Sequence, residues 1–347
     1  MTELTRRRAL QLMGAAGGSG LLMHGAGPLA AQQGRALQAN ILGFTLGIHV
    51  PAIVALNEGM EELGYSASDM VRLESMQAVT QGIVAGSSEV GEGDVVSALT
   101  ASEAGADIRL TGLVYNNTSQ VLVVNRDIIQ SFEDFKKPEA TIAINSRGDF
   151  IYIMLSGVFD QNGIDIEQDT TLVEVGGSGS RMRALLAGRV AAVPVHFDQA
   201  VKIAQEGNFE VMVEPGKIFD PWLSEAWLVN GSWLENDENR RILTDLQKAT
   251  ITSFRRANAD LGYYADGYRK YATVKGAQDA KDEDLEWAWS QLSTEIKAWP
   301  NDGGFKKGYF ERLIPVYERA NALRGTLDLG KAVDTSFVDA ALQELDS

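Results

Sequence analysis

Short apolar runs alternate with amphipathic stretches along most of the chain, and each pair is separated by glycine or by small polar residues. Asn40–Thr45 reads as a strand, and Pro51 then opens a helix over 52–63 that Gly64 closes. The same unit recurs. Strands are predicted at 70–73, 90–94 and 107–115, and helices at 77–85 and 95–103. Gln120–Asn125 is an apolar strand with polar ends, and a second cycle of similar size follows it. Its strands are expected at 141–144, 171–175, 191–195 and 209–213, and its helices at 150–161, 180–187 and 199–206. Another strand is expected within 220–230. Beyond Gly231 the period is helical, with stretches at 238–258, 282–299 and 308–323 and a break at Pro300-Asn301-Asp302-Gly303-Gly304.

Strands and helices alternating at this spacing imply parallel sheets with right-handed crossovers. The fold class expected is α/β, with two Rossmann-like lobes joined by two crossover strands and a helical C-terminal tail. The lobes are assigned as 38–124 with 228–347, and 125–227. The hinge is placed in the strands near Leu122–Asn125 and Leu228–Asn230.

At 347 residues the chain has room for two domains. Its composition, 45% hydrophobic and 22% charged, is that of a globular protein. The net charge of −16 argues against a nucleic-acid partner, because neutralising phosphates takes clustered Lys and Arg. The absence of cysteine excludes disulfides, thiolate catalysis and Cys-ligated metal sites. The N-terminus changes the picture most. Thr5-Arg6-Arg7-Arg8 precedes a glycine-diluted apolar segment that closes on Leu29-Ala30-Ala31. That segment is too weakly apolar to span a membrane and has the layout of an export signal. It resembles a twin-arginine signal, which implies removal of residues 1–31 and a periplasmic location.

Enzyme motifs fail one by one. Gly176-Gly177-Ser178-Gly179 is followed by Ser180-Arg181 where a phosphate-binding loop needs Lys. The same run lacks the last glycine of a nucleophile elbow. There is no His-Glu-x-x-His, and Asp160-Gln161-Asn162-Gly163 has its glycine misplaced for a calcium loop. No cofactor is expected.

The layout resembles the type II periplasmic substrate-binding proteins of ABC importers, in the nitrate, sulfonate, bicarbonate and thiamine-precursor branch. The stretches that carry the resemblance are Pro51–Gly59 with Gly64, Val124–Ile128 with Phe132–Lys136, and Arg183–Ala192. Ala191 departs from the Asp usual in that family. The resemblance implies a monomer that captures a small organic molecule between two lobes and delivers it to a permease and an ATPase, without catalysis. A periplasmic enzyme on the same fold and a ligand-sensing domain for a membrane signalling partner are the alternatives.

Ligands of such folds meet the C-terminal ends of parallel strands and the N-termini of helices. That rule picks Thr45, Leu46, His49, Glu74, Asp94, Tyr115 and Asn116 from the first lobe. From the second it picks Ser146, Arg147, Asp149, Phe150, Gly177, Ser178, His196, Phe197 and Asp198. Trp222 and Trp227 come from the return crossing. Arg147 and the glycine loop suit an anion such as a sulfonate or carboxylate. The aromatic residues with Glu74, Asp94, Asp149 and Asp198 suit a flat neutral or cationic heterocycle, and an organic ligand with an aromatic or apolar body is preferred. His49 and His196 lack the spacing of a metal pair, and no metal is expected.

Overall fold

The computed structural model describes residues 34–347. The export signal expected over 1–31 lies outside the described residues. No helix among them is long and apolar enough to cross a membrane.

Among the described residues, ten strands form two five-stranded sheets. The first sheet contains β1 (Ala36–Leu42), β2 (Ser66–Leu73), β3 (Val90–Asp94), β4 (Ile108–Tyr115) and β10 (Glu225–Asn230), in the order β2-β1-β3-β10-β4. The second contains β5 (Gln120–Asn125), β6 (Ile142–Ile144), β7 (Leu172–Glu174), β8 (Ala192–His196) and β9 (Phe209–Val213), in the order β7-β6-β8-β5-β9. Three neighbouring strands in each sheet run parallel, as the alternating pattern requires. The strand that arrives from the other lobe enters each sheet antiparallel: β10 lies between β3 and β4, and β5 lies between β8 and β9. Both are central strands covered on both faces, which accounts for their continuous apolar runs.

The chain therefore passes between the sheets at residues 116–119 and 214–224. The boundaries drawn from sequence at 124/125 and 227/228 are corrected by this topology, because Gln120–Asn125 lies wholly in the second sheet and Glu225–Asn230 wholly in the first. A polar end reads as a boundary in the sequence, whereas the pairing register decides which sheet a strand joins. Asn117 ties the two passages together. Its φ of 63° is left-handed, its Oδ1 accepts from Thr118 N and Trp222 N, and its Nδ2 donates to Gly216 O and Ile296 O. Ser224 Oγ donates to its carbonyl.

The C-terminal helices also divide differently from the expectation. Asp237–Ala259 packs on the first sheet, where Trp227 Nε1 donates to Thr250 Oγ1 at 3.2 Å. Lys307–Arg319 packs instead on Phe150–Gln161 of the second lobe. Gly157 allows that approach, since a Cβ there would lie 2.5 Å from Val316 Cγ1. The chain then returns to the first lobe: Glu103 accepts from Arg324 N and Thr326 N, and Leu110 bridges Val333. The tail thus belongs to both lobes. Two further helices, Leu261–Tyr271 and Ser336–Leu345, were not separated in the sequence pattern.

Candidate functional site

The C-terminal ends of β1, β3, β4 and β8, with the N-termini of the helices Met76–Val84, Val95–Glu103, Phe150–Gln161 and Ser178–Leu186, meet at one cavity of 530 Å³ between the lobes. Of the residues picked from sequence, Leu46, His49, Glu74, Asp94, Tyr115, Asp149, Phe150, Gly177, Ser178 and His196 line it. Of two larger hollows, one is lined by the first lobe alone, and the other adjoins this cavity and shares Leu46, Ser178 and His196 with it.

The remaining picks fall elsewhere. Thr45 is buried and its hydroxyl accepts from Arg72. Asn116 donates its backbone N–H to Ala298 O inside the first passage. Ser146 and Arg147 turn outward on a loop set by Gly148 at φ +78°, and Arg147 pairs with Glu167 and Glu174 rather than facing the cleft. Phe197 and Asp198 line a neighbouring hollow with Tyr264, Tyr268 and Trp287. Trp222 and Trp227 are fully buried core: Trp222 packs against Phe219 and Tyr317, and Trp227 is held by Thr250. An aromatic residue in a central strand is claimed by the sheet's packing before it can serve a cleft.

Glu225 and Arg181 were missed, and they organise the site. The register of β10 sets Glu225 opposite Asp94 on one side and Tyr115 on the other. Tyr115 Oη donates to Glu225 Oε1 at 2.9 Å, and His49 Nε2 lies 3.4 Å from the same oxygen. His49 Nδ1 accepts from Leu46 N at 2.9 Å, which places the ring proton on Nε2, facing Glu225. Burial works against a charged His49, but Glu225 and Glu92 outweigh it and hold its pKa above the ordinary value. Arg181 is 1% exposed and braces the glycine loop, donating to Pro194 O at 2.8 Å and to Gly176 O at 2.5 Å. Burial lowers it to about 10, so it stays charged at neutral pH.

Three helix N-termini at the cleft carry their own caps. Ser75 Oγ accepts from Ala78 N, Asp94 Oδ1 from Ser97 N, and Asp149 Oδ1 from Tyr152 N. Helix Ser178–Leu186 instead has Gly177 at its N-cap and no side-chain cap, which leaves its first N–H groups open to the cavity. Burial raises the carboxyls: Asp94 is pushed to about 6 and Asp149 upward, with Glu225 and Asp149 adding to the rise at Asp94. His196, hydrogen-bonded to Ser119 and Gln120, is held below its usual range by burial and by its neighbours His49 and Arg181.

His49, Glu92 and Glu225 offer ligand atoms within 4.8 Å of one another, close enough for a metal. The proton fixed on His49 Nε2 opposes that use, because a metal needs that lone pair while Nδ1 already accepts from Leu46.

No family model matches the chain, and no curated protein matches it in sequence. Solved structures do match its fold. One described as the periplasmic sulfonate-binding protein of an ABC transporter from Methylobacillus flagellatus has a TM-score of 0.68 at 16% identity, covering 91% of this chain and 96% of that one. The ligand-binding component of an ABC-type import system from Staphylococcus aureus, solved with zinc bound, has a TM-score of 0.69 at 11% identity, covering 89% and 99%. The periplasmic nitrate-binding protein of Synechocystis PCC 6803 has a TM-score of 0.68 at 12% identity, covering 90% and 89%. The chain thus has the fold of type II periplasmic binding proteins.

Proposed function

We propose that the protein is an extracytoplasmic solute-binding protein that captures a small organic molecule between its lobes and delivers it to an ABC permease and its ATPase. One observation carries the reading. Strand ends and helix N-termini from both lobes converge on one cleft, with apolar walls and a few buried polar groups. A ligand seated there touches both lobes and favours the closed arrangement, the form that docks on a membrane partner. The fold shared with sulfonate- and nitrate-binding proteins supports the same assignment. The arginine pair near residue 7 supports twin-arginine export to the periplasm, where the chain works as a monomer.

The chemistry belongs to the partners, and the chain itself catalyses nothing. An enzyme on the same fold is the alternative, so turnover is the discriminating readout. A thermal-shift screen over sulfonates, carboxylates, amines and pyrimidines is expected to find a compound that stabilises the chain at 1:1 stoichiometry and is recovered unchanged. Recovery of a converted product overturns the receptor reading.

A further inference from the structure

Three buried carboxyl groups meet in the cavity, Asp94 and Glu225 from the first lobe and Asp149 from the second, with the exposed Glu74 at its rim. They are 3%, 1% and 5% exposed. Each uses one oxygen on its own scaffold. Asp94 Oδ1 and Asp149 Oδ1 cap helices, and Glu225 Oε1 takes Tyr115 Oη and His49 Nε2. The opposite oxygen of Glu225, Oε2, is buried with no hydrogen-bond partner among the described residues. Asp149 Oδ2 is in the same position, with the Asn145 side chain beside it but outside hydrogen-bond geometry. A buried carboxylate oxygen left without a donor is costly, and these two lie on opposite sides of one cleft.

The basic groups of the cavity give these two oxygens no hydrogen bond, although the charge of Arg181 acts on Asp149. His49 directs its Nε2 proton to Glu225 Oε1, and Arg181 is bound to the carbonyls of Pro194 and Gly176. Arg183 is exposed and turns to Ser180 Oγ. A cleft for an oxyanion presents free donors, yet three of its helix N-termini here are closed by Ser75, Asp94 and Asp149 themselves. The fourth, at Ser178, keeps open N–H groups, but the buried side-chain atoms of the cavity that lack a partner among the described residues are all acceptors: Glu225 Oε2, Asp149 Oδ2 and Gln120 Oε1. Around them stand Leu42, Phe44, Leu46, Met76, Phe150 and Ile151, enough apolar wall for a compact hydrocarbon or aromatic body.

Resting on the receptor reading above, we propose that the ligand is an organic cation: a protonated ammonium or amidinium head bound between Glu225 and Asp149, carried on an apolar body. Its N–H groups satisfy Glu225 Oε2 and Asp149 Oδ2 together. The head therefore bridges the lobes and removes the repulsion that three acids across a closing cleft otherwise exert. The sulfonate- and nitrate-binding neighbours share the fold, but the charge of the cleft is set by this chain's own residues.

The test is calorimetric titration of the full mature chain at pH 7.5 with matched pairs that share a body and differ in charge: benzylamine and benzamidine against benzenesulfonate and benzoate, and n-butylamine against butanesulfonate. The expected result is binding by the cations, with each matched anion at least tenfold weaker. Glu225→Gln keeps an oxygen for Tyr115 and His49 and turns an amide toward the cavity, so it is expected to weaken the cations at least tenfold. Asp149→Asn keeps its helix cap and is expected to act likewise, which covers the case in which the first variant fails to fold. Tighter binding of the anion in any pair overturns the proposal and leaves the receptor reading standing, as does a change of less than twofold in both variants. Binding by no member of any pair overturns the proposal and counts against the receptor reading as well.

Discussion

Glu92 sits in the centre of the first sheet, fully buried, with Oε2 accepting from Leu42 N and Oε1 unpaired. Burial pushes its pKa to about 8, and the carboxyl of Glu225 adds to the rise while His49 and Arg72 oppose it. Asp94 stands at about 6. Both values lie above the ordinary carboxyl range, so the folded protein binds these protons more tightly than the unfolded chain. The stability they contribute is full below about pH 4, and it is lost as pH rises through 6 and then 8. The difference in unfolding free energy between wild type and Glu92→Gln, measured by urea denaturation, is expected to favour the variant increasingly from pH 6 to pH 8, by on the order of 1–3 kcal/mol at the upper end. A difference that does not vary with pH would show that Glu92 titrates normally. Arg181 is the opposite kind of buried charge, one whose removal leaves two carbonyls unmatched. Arg181→Ala is expected to cost about 3 kcal/mol by the same measurement, and a cost below about 1 kcal/mol would place its bonds outside the fold's support. Arg147, half-exposed with two surface carboxylates, sets the contrast: Arg147→Ala is expected to change stability by less than about 1 kcal/mol.

Elements explain why part of the site was legible and part was not. The rule that ligands meet strand ends and helix starts located His49, Asp94, Tyr115, Asp149 and His196, because each stands where a strand gives way to a loop or a helix begins. Most strands and helices were legible for the same reason, since their periods switch at glycine or a cap residue. Glu225 was not legible, because its place depends on which sheet the return strand joins and in what register. A signal was present nonetheless. Glu225 opens the apolar run Ala226-Trp227-Leu228-Val229, and a charge at the edge of a doubly buried strand needs a reason. Arg181 had a similar signal: it lies three and four residues before Ala184 and Leu185, on the helix face that packs into the core. Arg147 was picked by position in a loop, and the acids that claim it come from segments far along the chain. The passages between lobes carry their own expectation. Asn117→Ala removes the side-chain bonds that join both passages and leaves a non-glycine residue at positive φ. A cost of about 2–4 kcal/mol in urea denaturation is expected, and one below about 1 kcal/mol would show that the two passages are held together by other contacts.

At the scale of the molecule, two sheets held by two polypeptide passages and a shared C-terminal tail form a clamp. Phe197 at the start of a second-lobe helix meets Trp287 of helix Asp282–Ser290 edge-on at 5.3 Å, beside the glycine loop. Trp287 is 47% exposed, so its emission is expected to follow any change in that contact. The glycine loop, with Arg181 under it and Ser178 and Gly179 at its rim, reads as one jaw, and the buried carboxyls of the first lobe read as the other. Small-angle X-ray scattering of the mature chain, alone and saturated with the strongest stabilising compound, tests this most directly. The account predicts a smaller radius of gyration in the saturated sample, with the compound bound one to one and chemically unchanged. An identical scattering curve at saturation, or a converted compound in the sample, would contradict it.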